Sequence, residues 1–173
     1  MDGLARADAA SLSKIKGVGP AKALQLVAAF GLGARLSRSV AEARLVQTAV
    51  DVVALLGEEM RLLNYESVRV VLLNTKHHLL GVEEISRGVL DESVFHPREA
   101  LRAALARNAA AVILVHNHPS GDPRPSPADR QVTERFSQAA GLMQVPLLDH
   151  VILGVPSKEN QSGYFSFKEH LLL

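Results

Sequence analysis

Residues 108–129 read NAAAVILVHNHPSGDPRPSPAD, and the chemistry of this chain is expected to gather there. Ala110–Val115 is a short apolar run ending at His116, so the first histidine stands where a buried strand emerges. His116 and His118 are two residues apart, and in extended backbone such neighbours share a face, so they can chelate one ion. The loop that follows is dense in Pro and Gly, and Pro127 suits the opening of a helix through Gln131–Gly141. Asp129, eleven positions beyond His118, then falls in the first turn of that helix, where a loop folding back can bring its oxygen to the same ion. A His₂Asp set leaves a fourth tetrahedral position for water, which marks a catalytic rather than a structural zinc site. Taken singly, a strand-end histidine is usually a surface group and an Asp near a helix start usually a cap. The joint pattern carries the expectation.

Working outward, Pro97–Asn108 has helical periodicity, and Ser67–Asn74 with Leu79–Ser86 form two β-rich runs joined by a polar turn holding His77 and His78. Val145–Leu148 and Val151–Val155 read as closing strands, and Leu45–Leu63 as a connecting helix. Upstream, residues 11–36 read as a short helical piece, a Gly17-Val18-Gly19 turn, and a second helix opened by Pro20 and ended by Gly31 and Gly33. Strands and helices alternate, so the main domain is α/β or α+β. The expected divisions are a hairpin element at 1–36, a connecting helix at 37–64 and the main domain at 65–173.

At 173 residues and 47% hydrophobic content the chain can build one well-packed domain and a small appendage. The 19 basic and 18 acidic side chains nearly cancel, so contact with a polyanion would have to be local. There is no cysteine, which excludes disulfides, thiolate ligands and a Cys nucleophile together and leaves His and carboxylate to hold any metal. No apolar run has signal-peptide or membrane-spanning character, so the expectation is a cytoplasmic protein without a membrane partner.

The spacing H-x-H, seven residues, Ser126, two residues, Asp129 resembles the JAMM signature at every fixed position. HPREA at 96–100, the quoted stretch at 108–129 and LLDHVILG at 147–154 extend the likeness to the RadC family, a branch of the JAMM/MPN+ superfamily. The resemblance implies a cytidine-deaminase-like mixed sheet flanked by helices, with a small N-terminal helical hairpin. It implies Zn²⁺ held by His116, His118 and Asp129, and a peptide or isopeptide substrate. It also implies Ser126 as a donor to the tetrahedral oxyanion, although Ser126 reads equally well as the cap of the Pro127 helix. Family members commonly have a longer helical region before Ser11, so the hairpin is expected in a short or truncated form.

A zinc hydrolase needs a carboxylate to take the proton from water. In the superfamily that glutamate opens a strand preceding the H-x-H strand; Glu66 in NYESVRVVLLN matches best and Glu99 comes next. His77, His78, His96 and His170 read as ordinary turn or surface groups, and Asp149-His150 as a buried structural pair or a support for the metal ligands. IKGVGPAKA resembles a helix-hairpin-helix motif, whose free N–H groups with Lys14, Lys16 and Lys22 point to weak, non-specific DNA binding. Two rivals to the peptidase remain at this stage: a metal-dependent nuclease, and a DNA-associated scaffold without turnover.

Overall fold

The computed structural model of the chain describes residues 8–41, 44–88, 95–158 and 160–173. It divides into two compact units, Met1–Ala43 and Arg44–Leu173. In the first, α1 (Ala9–Leu12) is capped by Asp8, whose carboxylate accepts from the Ser11 N–H at 2.7 Å, and it packs against α2 (Pro20–Ala41). Gly17 between them has φ +91°, a conformation that favours glycine. The expected stop at Gly31 and Gly33 is not found: α2 runs through both to Ala41. A glycine inside a helix costs about 1 kcal/mol relative to alanine, too little to end one flanked by helix-forming Leu and Ala.

The second unit contains α3 (Ala49–Arg61), β1 (Ser67–Leu73), β2 (Leu79–Arg87), α4 (Pro97–Ala106), β3 (Ala111–Asn117), α5 (Pro127–Leu142), β4 (Leu147–Leu153) and β5 (Tyr164–Ser166). The strands form one mixed sheet in the order β2-β1-β3-β4-β5, parallel between β3 and β4 and antiparallel elsewhere. This is the α/β sheet flanked by helices that the sequence implies. The β1–β2 hairpin turns at His77, which sits at φ +59°.

Both faces of the central strands are buried, so Val70–Leu73 of β1 and Ala111–Val115 of β3 read as continuous apolar runs. Val68, Val70 and Leu72 of β1, with Val112 and Leu114 of β3, pack under α4 and α5. Val71, Leu73, Ile113 and Val115 point the other way, under Val52, Leu56 and Met60 of α3. The Leu45–Leu63 run is thus a layer of the second unit, its helix started by a capping box in which Thr48 and Asp51 exchange backbone bonds. On β3, the alternation that sends Val112 and Leu114 toward α5 sends His116 there too.

The closing region differs from its expected form. Val145–Leu148 and Val151–Val155 do not make two strands; one strand, β4, runs through Asp149 and His150, and β5 was not foreseen. The Asp-His pair does not interrupt β4, because the Asp149 carboxylate is bonded to the His150 N–H at 2.7 Å and to the Ser166 hydroxyl at 2.6 Å. Against β3, Val112 pairs with Leu147 but Ile113 with Asp149, leaving Leu148 as an extra residue. Such a bulge exchanges the faces of everything beyond it. Leu147 therefore joins the α4–α5 core, whereas Val151 and Leu153 join the α3 core. His150, even-numbered and beyond the bulge, faces α5. Among the described residues no helix is long and apolar enough to cross a membrane.

Candidate metal centre

Three elements bring the site together. The buried stripe of α5 consists of Asp129, Val132, Thr133, Phe136 and Ala140, one side of a helix by its spacing of three and four. Its C-terminal members fill the core, and its first two turns place Asp129 and then Thr133 over the end of β3. Pro127 at the first position and a Ser126/Asp129 capping box fix where the helix begins. Beyond β3, the loop is pinned by the His118 N–H to the Leu153 carbonyl at 2.9 Å and by the Val155 N–H to the Gly121 carbonyl at 2.8 Å. The backbone packs so closely here that a Cβ on Gly154 would stand 2.4 Å from the Gly121 oxygen.

His116, His118 and Asp129 converge, each offering one ligand atom, with all such atoms within 4.8 Å of one another. His116 Nε2 is 3.1 Å from Asp129 Oδ1 and 3.0 Å from His118 Nε2, and His118 Nε2 is 3.5 Å from Asp129 Oδ2. The His116 and Asp129 side chains are buried, while that of His118 keeps 14% of its surface exposed, so the group opens to solvent on the His118 side. Among the described residues this is the one group of His and carboxylate side chains that could hold a metal ion.

The donor set suits a cation. His118 Nδ1 lies 2.7 Å from the Asp122 backbone carbonyl, which can only accept, so Nδ1 carries a proton and Nε2 is the atom that offers a lone pair when the ring is neutral. That lone pair faces a second imidazole nitrogen and a carboxylate oxygen. Such an arrangement repels itself unless a metal ion stands among the donors or, in its absence, His118 Nε2 carries a proton toward His116 Nε2 and the Asp129 carboxylate. Burial opposes the charge on Asp129, yet the adjoining His116 and His118 and the bond from Ser126 hold its carboxyl well below the usual carboxylate range. Burial likewise pulls His118 down, but the bond with Asp129, the Asp122 carbonyl and the charges of Asp129 and Glu66 leave it raised.

Glu66 immediately precedes β1. Val68 pairs with His116, so continuing that register brings Glu66 abreast of His118. It lines a cleft of about 410 Å³ with Tyr65, Pro119 and Ser120, at the edge of the metal loop. Glu99 sits elsewhere, on α4, its carboxylate bonded to Arg98 at 3.2 Å and Arg102 at 3.1 Å. The Ser126 hydroxyl donates to Asp129 Oδ2 at 2.7 Å and accepts from the Asp129 N–H at 3.1 Å, so the serine caps the helix and steadies the carboxylate.

Three further residues belong to the site. Asn117, between the two histidines, is buried; its Oδ1 accepts from the Ser67 N–H at 2.8 Å and its Nδ2 donates to the Tyr65 carbonyl at 2.9 Å. It grips the chain on both sides of Glu66. Thr133 and the fully buried His150 lie behind His116, with His150 Nε2 2.8 Å from His116 Nδ1. His150 therefore braces His116 as well as belonging to the Asp149 cluster. Thr133 was legible in principle, being four residues after Asp129 on the same helix face. Asn117 had no signal beyond its position in the H-x-H stretch.

Comparison with known proteins agrees with this geometry: the RadC-like JAB domain matches residues 46–172. The chain belongs to the RadC family. It is 45% identical over 163 residues to a UPF0758 protein of Alkaliphilus oremlandii, covering 94% of this chain and 68% of the relative. A UPF0758 protein of Desulfitobacterium hafniense is 44% identical over 177 residues, covering 100% of this chain and 74% of its own length. The family and the His-His-Asp group together indicate a JAMM-type metal-dependent hydrolase.

Proposed function

We propose that the second unit is a zinc-dependent hydrolase of amide bonds, a peptidase or isopeptidase, with His116, His118 and Asp129 holding the metal. The observation carrying this reading is the pair of imidazole Nε2 atoms 3.0 Å apart beside the buried Asp129 carboxylate. Neutral nitrogen and carboxylate donors without sulfur suit zinc in a catalytic setting. When bound, zinc supplies a Lewis acid that polarises a carbonyl and makes water nucleophilic near neutral pH.

The protein's own groups do the rest. Glu66, at the mouth of the cleft, accepts the proton from water and returns it to the leaving amine. Asn117 holds Tyr65 and Ser67 so that this carboxylate keeps its place beside His118. Ser126 steadies Asp129 and, when its hydroxyl turns from that carboxylate, donates to the oxyanion. The nuclease reading is weaker, because two-metal nucleases need a second cluster of bridging carboxylates and the described residues hold one group. Weak contact of the first unit with DNA backbone remains a companion proposal, supported by the exposed Lys14, Lys16, Gly17 and Gly19.

Zinc analysis by plasma emission tests the centre. The protein is expected to bind near-stoichiometric zinc, and His116→Ala, His118→Ala and Asp129→Ala to lose it, since each removes one of three protein ligands. A wild-type protein that takes up no zinc after dialysis against micromolar metal overturns the reading. A peptide-library screen beside a plasmid-nicking assay then separates amide hydrolysis from nuclease activity.

A further inference from the structure

We propose that Thr133 and His150 form a hydrogen-bond relay that keeps the proton of His116 on Nδ1, leaving its Nε2 a bare donor toward the metal. The inference deepens the zinc reading and rests on it for the affinity measurement below. One group in the relay cannot change its role. The backbone carbonyl of Asp129 only accepts, and Thr133 Oγ1 lies 2.5 Å from it. A hydroxyl has a single proton, so this bond uses it. The same Oγ1 is 2.6 Å from His150 Nδ1, and having no proton left it must accept there. His150 therefore bears its proton on Nδ1.

Among the described residues the two nitrogens of the fully buried His150 ring face Thr133 Oγ1 and His116 Nδ1, neither of them a carboxylate, and an uncompensated cation is costly there, so with its proton on Nδ1 the ring turns the lone pair of Nε2 to His116. That nitrogen is 2.8 Å from His116 Nδ1, which must then donate. His116 Nε2 is left bare, 3.1 Å from Asp129 Oδ1. The relay begins and ends on Asp129, leaving by its main chain and returning at its side chain.

Each link has its own structural cause. Thr133 follows Asp129 by one helical turn, so both face inward from the start of α5. The bulge at Leu148 turns His150 toward α5 instead of α3. Phe167 stacks on the His150 ring with centroids 5.0 Å apart and planes 12° from parallel, which fixes the ring plane and hence the aim of both nitrogens. His118 reaches the same tautomer through the Asp122 carbonyl, so two independent acceptors set the two ligands alike. Thr133 and His150 are positioning residues, acting through His116.

The test reads tautomers directly, in metal-free protein labelled with ¹⁵N-histidine, by two-bond ¹H–¹⁵N correlation. In the wild type both His116 and His150 are expected with the proton on Nδ1. Thr133→Val keeps the shape and removes the oxygen; His116 should then lose its single tautomer, and zinc affinity measured by chelator competition should fall about 10–100-fold. Thr133→Ser, which restores the hydroxyl, should recover both readouts, a rescue that mere packing at position 133 does not provide. A wild-type His150 with its proton on Nε2 overturns the relay, and so does a Thr133→Val protein with wild-type tautomers and wild-type zinc affinity. Should Thr133→Val fail to fold, the wild-type spectrum alone decides. Because the spectra need no metal, a protein that takes up no zinc sinks the zinc reading while the relay is still judged on its tautomers.

Discussion

Glu66 and Glu99 stand in environments that predict opposite outcomes for the same substitution. Glu66 lines the cleft beside the metal loop, and Glu99 is bonded to two arginines on α4. Glu66→Gln is expected to retain zinc and to lose about 10²–10⁴ of hydrolytic rate, because an amide cannot take the proton from water. Glu99→Gln should hydrolyse at nearly the wild-type rate. Steady-state rates on a cleaved peptide, with zinc content measured in parallel, check both; an exchange of the two results moves the base to Glu99. The His-His-Asp group was legible because metal chelation demands particular residue types at particular spacing, and His116, His118 and Asp129, which the fold brings together, meet it within fourteen residues. Asn117, Thr133 and His150 do their work through hydrogen bonds to partners 50, 4 and 34 residues away, and of the three only His150 was singled out from the sequence, with its structural and supporting roles left undivided.

Elements bear on the site through where they begin and where they slip. Ser126 caps α5, so Ser126→Ala should lower stability by about 0.5–2 kcal/mol, a melting shift of a few degrees in a chain of this size. Ser126→Asn, an equally good cap, should restore the melting temperature; if the hydroxyl also serves the oxyanion, its rate stays down about 10²–10³-fold. A full recovery of rate in the Asn variant assigns Ser126 to capping alone. At the β4–β5 junction, burial raises the Asp149 carboxyl despite bonds from Ser166, Lys168 and His150. The folded state thus binds that proton more tightly than the unfolded chain, a contribution complete below the ordinary carboxylate range near about 4 and lost as pH rises through the folded value. Asp149→Asn should therefore gain stability relative to wild type as metal-free protein is melted from pH 4 upward, and a constant difference would falsify this. The Leu148 bulge explains why the sequence pattern split β4 in two: the apolar alternation changes face there, and a one-residue slip leaves no signature in composition. The α2 boundary was missed for a different reason, since a glycine only weakens a helix.

On the scale of the molecule, the His116–His118–Asp129 group and Glu66 all lie in the unit Arg44–Leu173, while the glycine turn lies in Met1–Ala43, so changes at one can be tested against the other. The proposed DNA contact of the first unit is expected to be weak and without sequence preference, because its N–H donors and lysines suit phosphates rather than base edges. Lys14, Lys16 and Lys22 are exposed, and Lys22 Nζ already donates to the Gly17 carbonyl at 3.3 Å, which leaves few charges to neutralise phosphates. With about two phosphates neutralised, log K should fall with log[salt] at a slope of about −2, and little binding should survive at physiological salt. Fluorescence anisotropy with a duplex across a salt series measures the slope. Gly19 is the informative position, since a Cβ there meets nothing within 4 Å and its φ is not in the left-handed region. Gly19→Val should leave the fold and the zinc content intact and weaken DNA binding, by blocking close approach of backbone to phosphate. Gly17, at φ +91°, would confound the test by straining the turn itself. Binding that is sequence-selective, insensitive to salt, or untouched by Gly19→Val assigns this surface to protein contacts instead.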